Sequence, residues 1–308
     1  CGEVDPDAVD ANLTFLGGAG ISFQDYIGMN IMFYNGTAAK YDKFYAVAVQ
    51  VDPDGNAVET LCNVVPYSYG GYDYTIFEHQ VMAWSMTEQV TLTLYAKKGE
   101  EIYVGQSVTT SVNERALEML SRYAGVNAVN SAVLVDMLNY GRAVQTTHNH
   151  FANNLPDLGE YAQYGTATNP ALSAVTTITG DGAAYINGPA ISMQAKVEFN
   201  VQFKTAEMTG RTVKVFANGV ELDASAIVFQ ANSTGTRQIA RIAIKATEMR
   251  STYTIALYDD ATGEAVSKVI ETSVEALCFK NINAGSNVEL STALMRYGDA
   301  VYAFANPN

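Results

Sequence analysis

Ile21–Phe33, ISFQDYIGMNIMF, lies without a gap over Ile191–Phe203, ISMQAKVEFNVQF, 170 residues further on. Val81–Tyr95, VMAWSMTEQVTLTLY, matches Ile244–Tyr258 in the same order, sharing Ala83/Ala246, Met86/Met249, Thr91/Thr254, Leu94/Leu257 and Tyr95/Tyr258. Ser111-Val112 then answers Ser273-Val274, and MLNYGRAV from Met137 answers LMRYGDAV from Leu294. Four collinear matches with a slowly drifting offset are the mark of an internal repeat whose loops differ slightly in length. The chain is therefore read as two diverged copies of one module. An amino-terminal arm spans residues 1–12, copy 1 residues 13–155, a Gly-, Thr- and Pro-rich linker 156–182, and copy 2 residues 183–308.

Within copy 1, alternating or β-branched runs at Ile21–Tyr34, Phe44–Val51 and Val90–Ala96 read as strands of an antiparallel sheet system. Asp52–Asn56 (DPDGN) and Lys97–Glu101 (KKGEE) read as hairpin turns, because Gly and Asn accept the positive φ that tight turns need. Each copy then changes to helical periodicity. Ser111 and Glu114 form a capping box, and Thr272 to Glu275 is expected to repeat it one position earlier. In the second helix of each copy, Val133, Met137, Tyr140 and Val144 match Leu290, Leu294, Tyr297 and Val301, one continuous apolar face. Gly141 and Gly298 lie beside it, where glycine costs about 1 kcal/mol relative to alanine. Their presence predicts close approach to another backbone. The fold class read from these patterns is α+β, mainly β: two tandem β-sandwich-like modules, each followed by a packed helix pair.

Composition narrows the function. With a net charge of −14, the surface repels phosphate backbones, and no basic cluster exceeds a pair such as Lys97-Lys98, so nucleic acid is not an expected partner. No apolar run reaches the ~20 residues of a membrane span. Three cysteines, Cys1, Cys62 and Cys278, are too few and too scattered for a disulfide scaffold or a metal set. Cys1 followed by Gly2 resembles the start of a bacterial lipoprotein, and is a candidate for lipidation or an intermolecular disulfide; a processed, exported form is the expectation.

The pattern I-x-x-x-I-G-x-N, an A-x-x-M-T before a strand ending L-Y, a T-x-S-V helix start and a helix ending L-N-Y-G-x-A-x-Q resembles a repeated module of secreted and cell-surface proteins of Gram-positive, gut-type bacteria. Copy 1 carries it down to HFANNL at His150–Leu155; copy 2 departs from it at Asp299 and Tyr302 and lacks that tail. The resemblance implies an extracellular, cell-surface role and supplies no catalytic or ligand-binding residues.

No residues read as catalytic, cofactor-binding or metal-ligating, and no cofactor is expected. His148 and His150 sit two apart, a spacing that does not place two imidazoles on one side of a helix, and they are read as a polar helix terminus. The Asp52–Asn56 turn lacks the distal glutamate of a calcium loop. None of the three histidines stands beside a nucleophile motif, so the chain is read as a non-enzyme.

The most distinctive stretch is Pro66–Phe77, PYSYGGYDYTIF, where Tyr67, Tyr69, Tyr72 and Tyr74 crowd around Gly70-Gly71. Tyrosine is enriched where one side must be apolar and the tip hydrogen-bonded, so the stretch is read as a loop packing on its own domain, a subunit interface or a ligand platform, with these four tyrosines the candidates for the last two. Two functions are weighed, and the first is preferred. The first is a structural subunit of a bacterial surface fibre or layer, a homopolymer of this chain, in which the arm of residues 1–12 is donated as a strand to a neighbour. The second is a monomeric cell-surface module that binds carbohydrate or another host ligand in adhesion. The sole tryptophan, Trp84, is expected inside a strand-like run.

Overall fold

The structure is a computed structural model, and the residues it describes are 10, 13–38, 40–193 and 196–307. The chain is mainly β with four antiparallel sheets, and its contacts divide it into two units at Gly165/Thr166.

The first unit contains β1 (Leu16–Ser22), β2 (Gly28–Tyr34), β3 (Lys43–Val51), β4 (Ala57–Leu61), β5 (Asn63–Tyr69), β6 (Tyr72–Gln80), β7 (Val90–Lys98) and β8 (Glu101–Thr110), followed by helices α1 (Val112–Tyr123) and α2 (Ala128–His148). Its sheets have the orders β1-β2-β6-β5 and β4-β3-β7-β8. Strict alternation fixes which side of each strand is buried. In β2, Met29, Ile31 and Phe33 are fully buried while Asn30, Met32 and Tyr34 are not, and in β7 Val90, Leu92, Leu94 and Ala96 repeat the pattern. Side chains from both sheets meet in the core: the Phe44 ring of β3 lies 5.0 Å from Phe33 of β2 and 6.0 Å from Phe77 of β6.

The second unit contains β9 (Thr177–Thr179), β10 (Ile186–Met193), β11 (Val197–Lys204), β12 (Arg211–Ala217), β13 (Val220–Glu221), β14 (Ile227–Ala231), β15 (Arg237–Ile244), β16 (Tyr253–Asp259) and β17 (Val269–Thr272), with helices α3 (Val274–Asn283) and α4 (Val288–Ala305). Its sheets run β10-β11-β15-β14 and β13-β12-β16-β17-β9. Taken in chain order, β10 to β17 pair as β1 to β8 do, and β9 is one strand added beyond β17. The stretch 156–182, read above as a linker, supplies a 3-10 helix at Gly159–Tyr164 to the first unit and β9 to the second.

Several expectations are corrected in detail. Ile21–Tyr34 is two strands, since the chain turns back between Ser22 and Gly28 and β1 pairs with β2. A Cβ on Gly28 would fall 2.9 Å from the His79 carbonyl oxygen, so the sharp re-entry requires glycine. Trp84 lies in a 3-10 turn, Ala83–Ser85, and is half-buried. The hairpin turns form as expected: the Asp52 carboxylate accepts from the Asp54 and Asn56 backbone N–H groups, and Gly55 and Gly99 hold positive φ.

Ser111 and Glu114 make the expected capping box of α1. At α3 the cap is Ser273, whose hydroxyl accepts from the Ala276 N–H. Glu275 does not reach back to the cap. It is buried, accepts from the Ser173 and Ala174 N–H groups, and pairs with Arg250 at 3.1 Å. Arg250 also clamps Asp299 with Nε and Nη2 at 2.7 and 2.8 Å, which accounts for the aspartate by which the second copy departs from the pattern. The bond to Asp299, helped by the Glu275 charge, raises the Arg250 pKa against the lowering that burial alone would give.

Gly141 and Gly298 do permit a close approach, chiefly of a methionine. A Cβ at Gly141 would lie 2.6 Å from Met86 Sδ and 3.1 Å from the Ala83 carbonyl oxygen, and one at Gly298 would lie 2.5 Å from Met249 Sδ. Each unit thus seats its second helix on the methionine that follows its 3-10 turn, the M of A-x-x-M in both copies.

Candidate functional site

The β5–β6 hairpin turns through Gly70 and Gly71, both at positive φ (61° and 82°), the pair of left-handed residues that a two-residue hairpin matched to strand twist demands. Register places Tyr67 opposite Tyr74 and Tyr69 opposite Tyr72, and β2 places Tyr34 on the other side of Tyr74. Thr75 and Phe77 face the core, so Tyr72, Tyr74 and Ile76 face outward, and so do Val65, Tyr67 and Tyr69 on β5 and Met32 and Tyr34 on β2. All four candidate tyrosines are therefore on one sheet face, joined by a fifth, Tyr34.

The rings form a connected array. Tyr67 and Tyr69 are parallel within 5° at 6.4 Å, Tyr67 is 6.2 Å from Tyr74, and Tyr34 is 5.6 Å from Tyr74 and 5.8 Å from Tyr72. Tyr69 is 71% exposed and Tyr72 56%, which rules out the reading that this loop merely packs on its own domain. Among the described residues no hydrogen bond occupies the hydroxyls of Tyr67, Tyr69, Tyr72 or Tyr74.

The same face becomes polar away from the hairpin tip. Tyr26 donates to Glu78, Asn63 donates to the Tyr26 hydroxyl at 3.2 Å, and Asn30 donates to Ser22 Oγ at 2.8 Å. Burial, then the Glu78 carboxylate, push the Tyr26 phenol up to about 12, so it stays a neutral donor. A ligand along this sheet would meet aromatic rings at one end and hydrogen-bonding groups at the other.

Trp84 packs edge-on against His148 and His150, with ring centroids at 5.4 and 4.5 Å. Burial, and secondarily the neighbouring His150, hold the His148 pKa below its usual value. Among the described residues no three His, Cys, Asp or Glu side chains gather as a metal set, and no helix is long and apolar enough to cross a membrane. Cys62 and Cys278 are free and buried, whereas Cys1 and every other residue of the arm except Asp10 lie outside the described residues. Asp10 N–H donates to the Val104 carbonyl of β8, and the Gln106 N–H of β8 donates to the Leu13 carbonyl.

No family model matches the chain, and no curated protein does. Among solved structures, the crystal structure of the Br derivative of BhCBM56 aligns at 13% identity over 31% of this chain and 99% of its own, with a TM-score of 0.17. A likeness at that level carries no weight for fold or function.

Proposed function

We propose that the chain is an extracellular, non-catalytic binding protein made of two diverged sandwich-like modules, and that the tyrosine face of the first module binds a carbohydrate chain. The observation that carries this reading is the array of Tyr34, Tyr67, Tyr69, Tyr72 and Tyr74 on one sheet face, in which Tyr67, Tyr69 and Tyr72 are exposed and Tyr34 and Tyr74 half-buried. Sugar rings offer apolar C–H faces for stacking and hydroxyls for the tyrosine tips, and tyrosine combines a large apolar surface with a polar handle. The chain's net charge of −14 favours an uncharged partner over an anionic one. Affinity electrophoresis through gels containing soluble neutral polysaccharides tests the reading. Tyr69→Ala/Tyr72→Ala should weaken the tightest interaction at least tenfold; unchanged mobility of wild type and variant in every gel would refute it.

One observation favours the surface-assembly reading as a second. In the second unit the outer edge of β17 carries β9, while among the described residues nothing pairs with the equivalent outer edge of β8 at Ser107–Thr109. An open edge accepts an added strand. Asp10 is bonded to Val104 and Lys40 of its own chain, so a strand donated by a neighbouring copy would come from the residues before it. Deleting residues 1–9 should then abolish filaments seen by negative-stain microscopy while both units remain folded, and unchanged filaments would refute this reading.

A further inference from the structure

The sheet of the second unit that corresponds to the tyrosine-bearing sheet has an outer face of different chemistry. Its strands β10, β11, β15 and β14 follow the pairing of β1, β2, β6 and β5, and one internal bond is repeated: Asn200 donates to Ser192 Oγ at 2.7 Å as Asn30 does to Ser22. The register puts Gln202 where the first unit has Met32, Gln230 where it has Val65, and Arg237 where it has Tyr74. The result is a cleft of about 360 Å³ lined by Asn187, Ser192, Asn200, Gln202, Gln230 and Arg241 over Ile239. That volume lies in the range of small-ligand clefts.

The rim is shaped by a bulge. Pairing of β10 with β11 slips between Asn187 and Ala190, and Gly188 there has φ of +124° with no room for a Cβ, which would sit 2.8 Å from the Asn200 carbonyl oxygen. Bulges of this kind re-aim side chains beside binding sites.

The hydrogen-bonding capacity left over in the cleft decides what fits it. Asn200 spends its NH2 on Ser192, leaving Oδ1 as an acceptor. Gln202 spends Oε1 on Arg237 Nη1 at 3.0 Å, leaving its NH2 as a donor. Arg241 commits Nε and Nη2 to Glu198, which neutralises its charge and leaves Nη1 free to donate. Gln230 is exposed, with both ends of its amide unengaged among the described residues. Both donors and acceptors thus remain around the aliphatic Ile239, and the cation among the lining residues, Arg241, is already paired. An apolar ligand would need a wider apolar floor, and an anion would find at the rim only Arg237, whose guanidinium lies over the Tyr185 ring and donates to Gln202. Hydroxyl groups, each donor and acceptor at once, match both the inventory and the charge.

The geometry points to a second binding site in this protein, an amide-lined cleft on the β10-β11-β15-β14 sheet that takes a neutral saccharide by hydrogen bonding and not by aromatic stacking. It stands on its own lining residues and does not require the tyrosine face to bind. The test uses the full chain and its Tyr69→Ala/Tyr72→Ala, Gln202→Ala/Gln230→Ala and combined variants. Each is run in gels containing soluble β-glucan, xylan, galactomannan or polygalacturonate. The side chains changed lie on the surface, and unaltered thermal unfolding verifies folding. The Tyr69→Ala/Tyr72→Ala variant should retain binding to a neutral polysaccharide, and adding Gln202→Ala/Gln230→Ala should raise its Kd at least tenfold. The proposal is overturned if the tyrosine variant binds none of the neutral polymers, if the glutamine changes leave its affinity unaltered, or if polygalacturonate is preferred. Failure of the tyrosine reading looks different, since there the tyrosine variant binds as wild type does.

Discussion

Replacing Gly141 by alanine sets two known quantities against each other. Helix propensity favours the change by about 1 kcal/mol. Against it, the new Cβ would lie 2.6 Å from Met86 Sδ, 3.0 Å from its Cε and 3.1 Å from the Ala83 carbonyl oxygen, and Met86 is fully buried. Forcing a methyl group into such a contact costs about 1–3 kcal/mol, so Gly141→Ala should destabilise the first unit by a net ~1 kcal/mol. With a urea dependence of about 2 kcal/mol per molar, the midpoint falls by ~0.5 M. The chain has one tryptophan, Trp84, in the same 3-10 turn that leads to Met86, so its fluorescence reports the unit concerned. A double-mutant cycle isolates the contact. Met86→Ala alone should cost about 2–5 kcal/mol, and in that background Gly141→Ala should become stabilising, a coupling of ~2 kcal/mol. Stabilisation by Gly141→Ala in the wild-type background, or a coupling indistinguishable from zero, would refute the packing account.

Three further outcomes follow from buried polar groups. His79 is 7% exposed with neither ring nitrogen bonded among the described residues, and burial holds its pKa below 6.5. The unfolded chain therefore takes up the proton first, and stability present above pH ~6.5 is lost as pH falls, by at most about 1.4 kcal/mol per pH unit until the folded-state pKa is reached; His79→Leu should flatten urea midpoints measured between pH 7.5 and 5.5. Gln145, fully buried, donates to Thr87 Oγ1 at 3.0 Å and the Asn154 carbonyl at 3.1 Å, so Gln145→Leu should cost about 1–3 kcal/mol and speed hydrogen exchange in residues 149–155. Burial pushes the Cys62 and Cys278 thiols up to about 12, so at pH 8 an aromatic disulfide reagent should titrate both only after denaturation; fast reaction of either in the native protein would contradict their burial.

Turn chemistry and alternation made much of this fold readable in advance. Asp52–Asn56 and Lys97–Glu101 declare their hairpins because each supplies the φ or the carboxylate that the turn needs. The turn between β1 and β2 is hidden, since apolar residues continue through Ile27, Gly28 and Met29 and only the backbone clash behind Gly28 demands re-entry. Trp84 looked strand-like because its neighbours are apolar, but a helix seated on Met86 fixes that turn, and no local pattern announces it. Of the aromatic face, four members are adjacent in sequence and the fifth is not. Tyr34 reaches them only through the β2–β6 register. The amide cleft left no signal at all, because its residues are drawn from four strands and each alone reads as an ordinary solvent-facing side chain.

That difference in legibility has a structural cause with a functional consequence. On a strand, residues that build the core and residues that build the outer face alternate, so either set can change without disturbing the other. The positions common to both units are the ones that packing constrains: the glycine under a methionine at Gly141/Met86 and Gly298/Met249, and the asparagine that ties its sheet's first hairpin at Asn30/Ser22 and Asn200/Ser192. The outward positions of the same strands differ, with aliphatic side chains replaced by amides and tyrosines by cations. Met32, Val65 and Tyr74 stand where Gln202, Gln230 and Arg237 stand in the second. A duplicated sheet with a fixed core can thereby present stacking on one copy and hydrogen bonding on the other. If both proposed faces take the same polysaccharide, their linkage in one chain raises the effective local concentration that each sees. Impairing one face should then weaken attachment to a long polysaccharide far more than binding to a short oligosaccharide. Equal losses for the two ligands would show that the faces act separately.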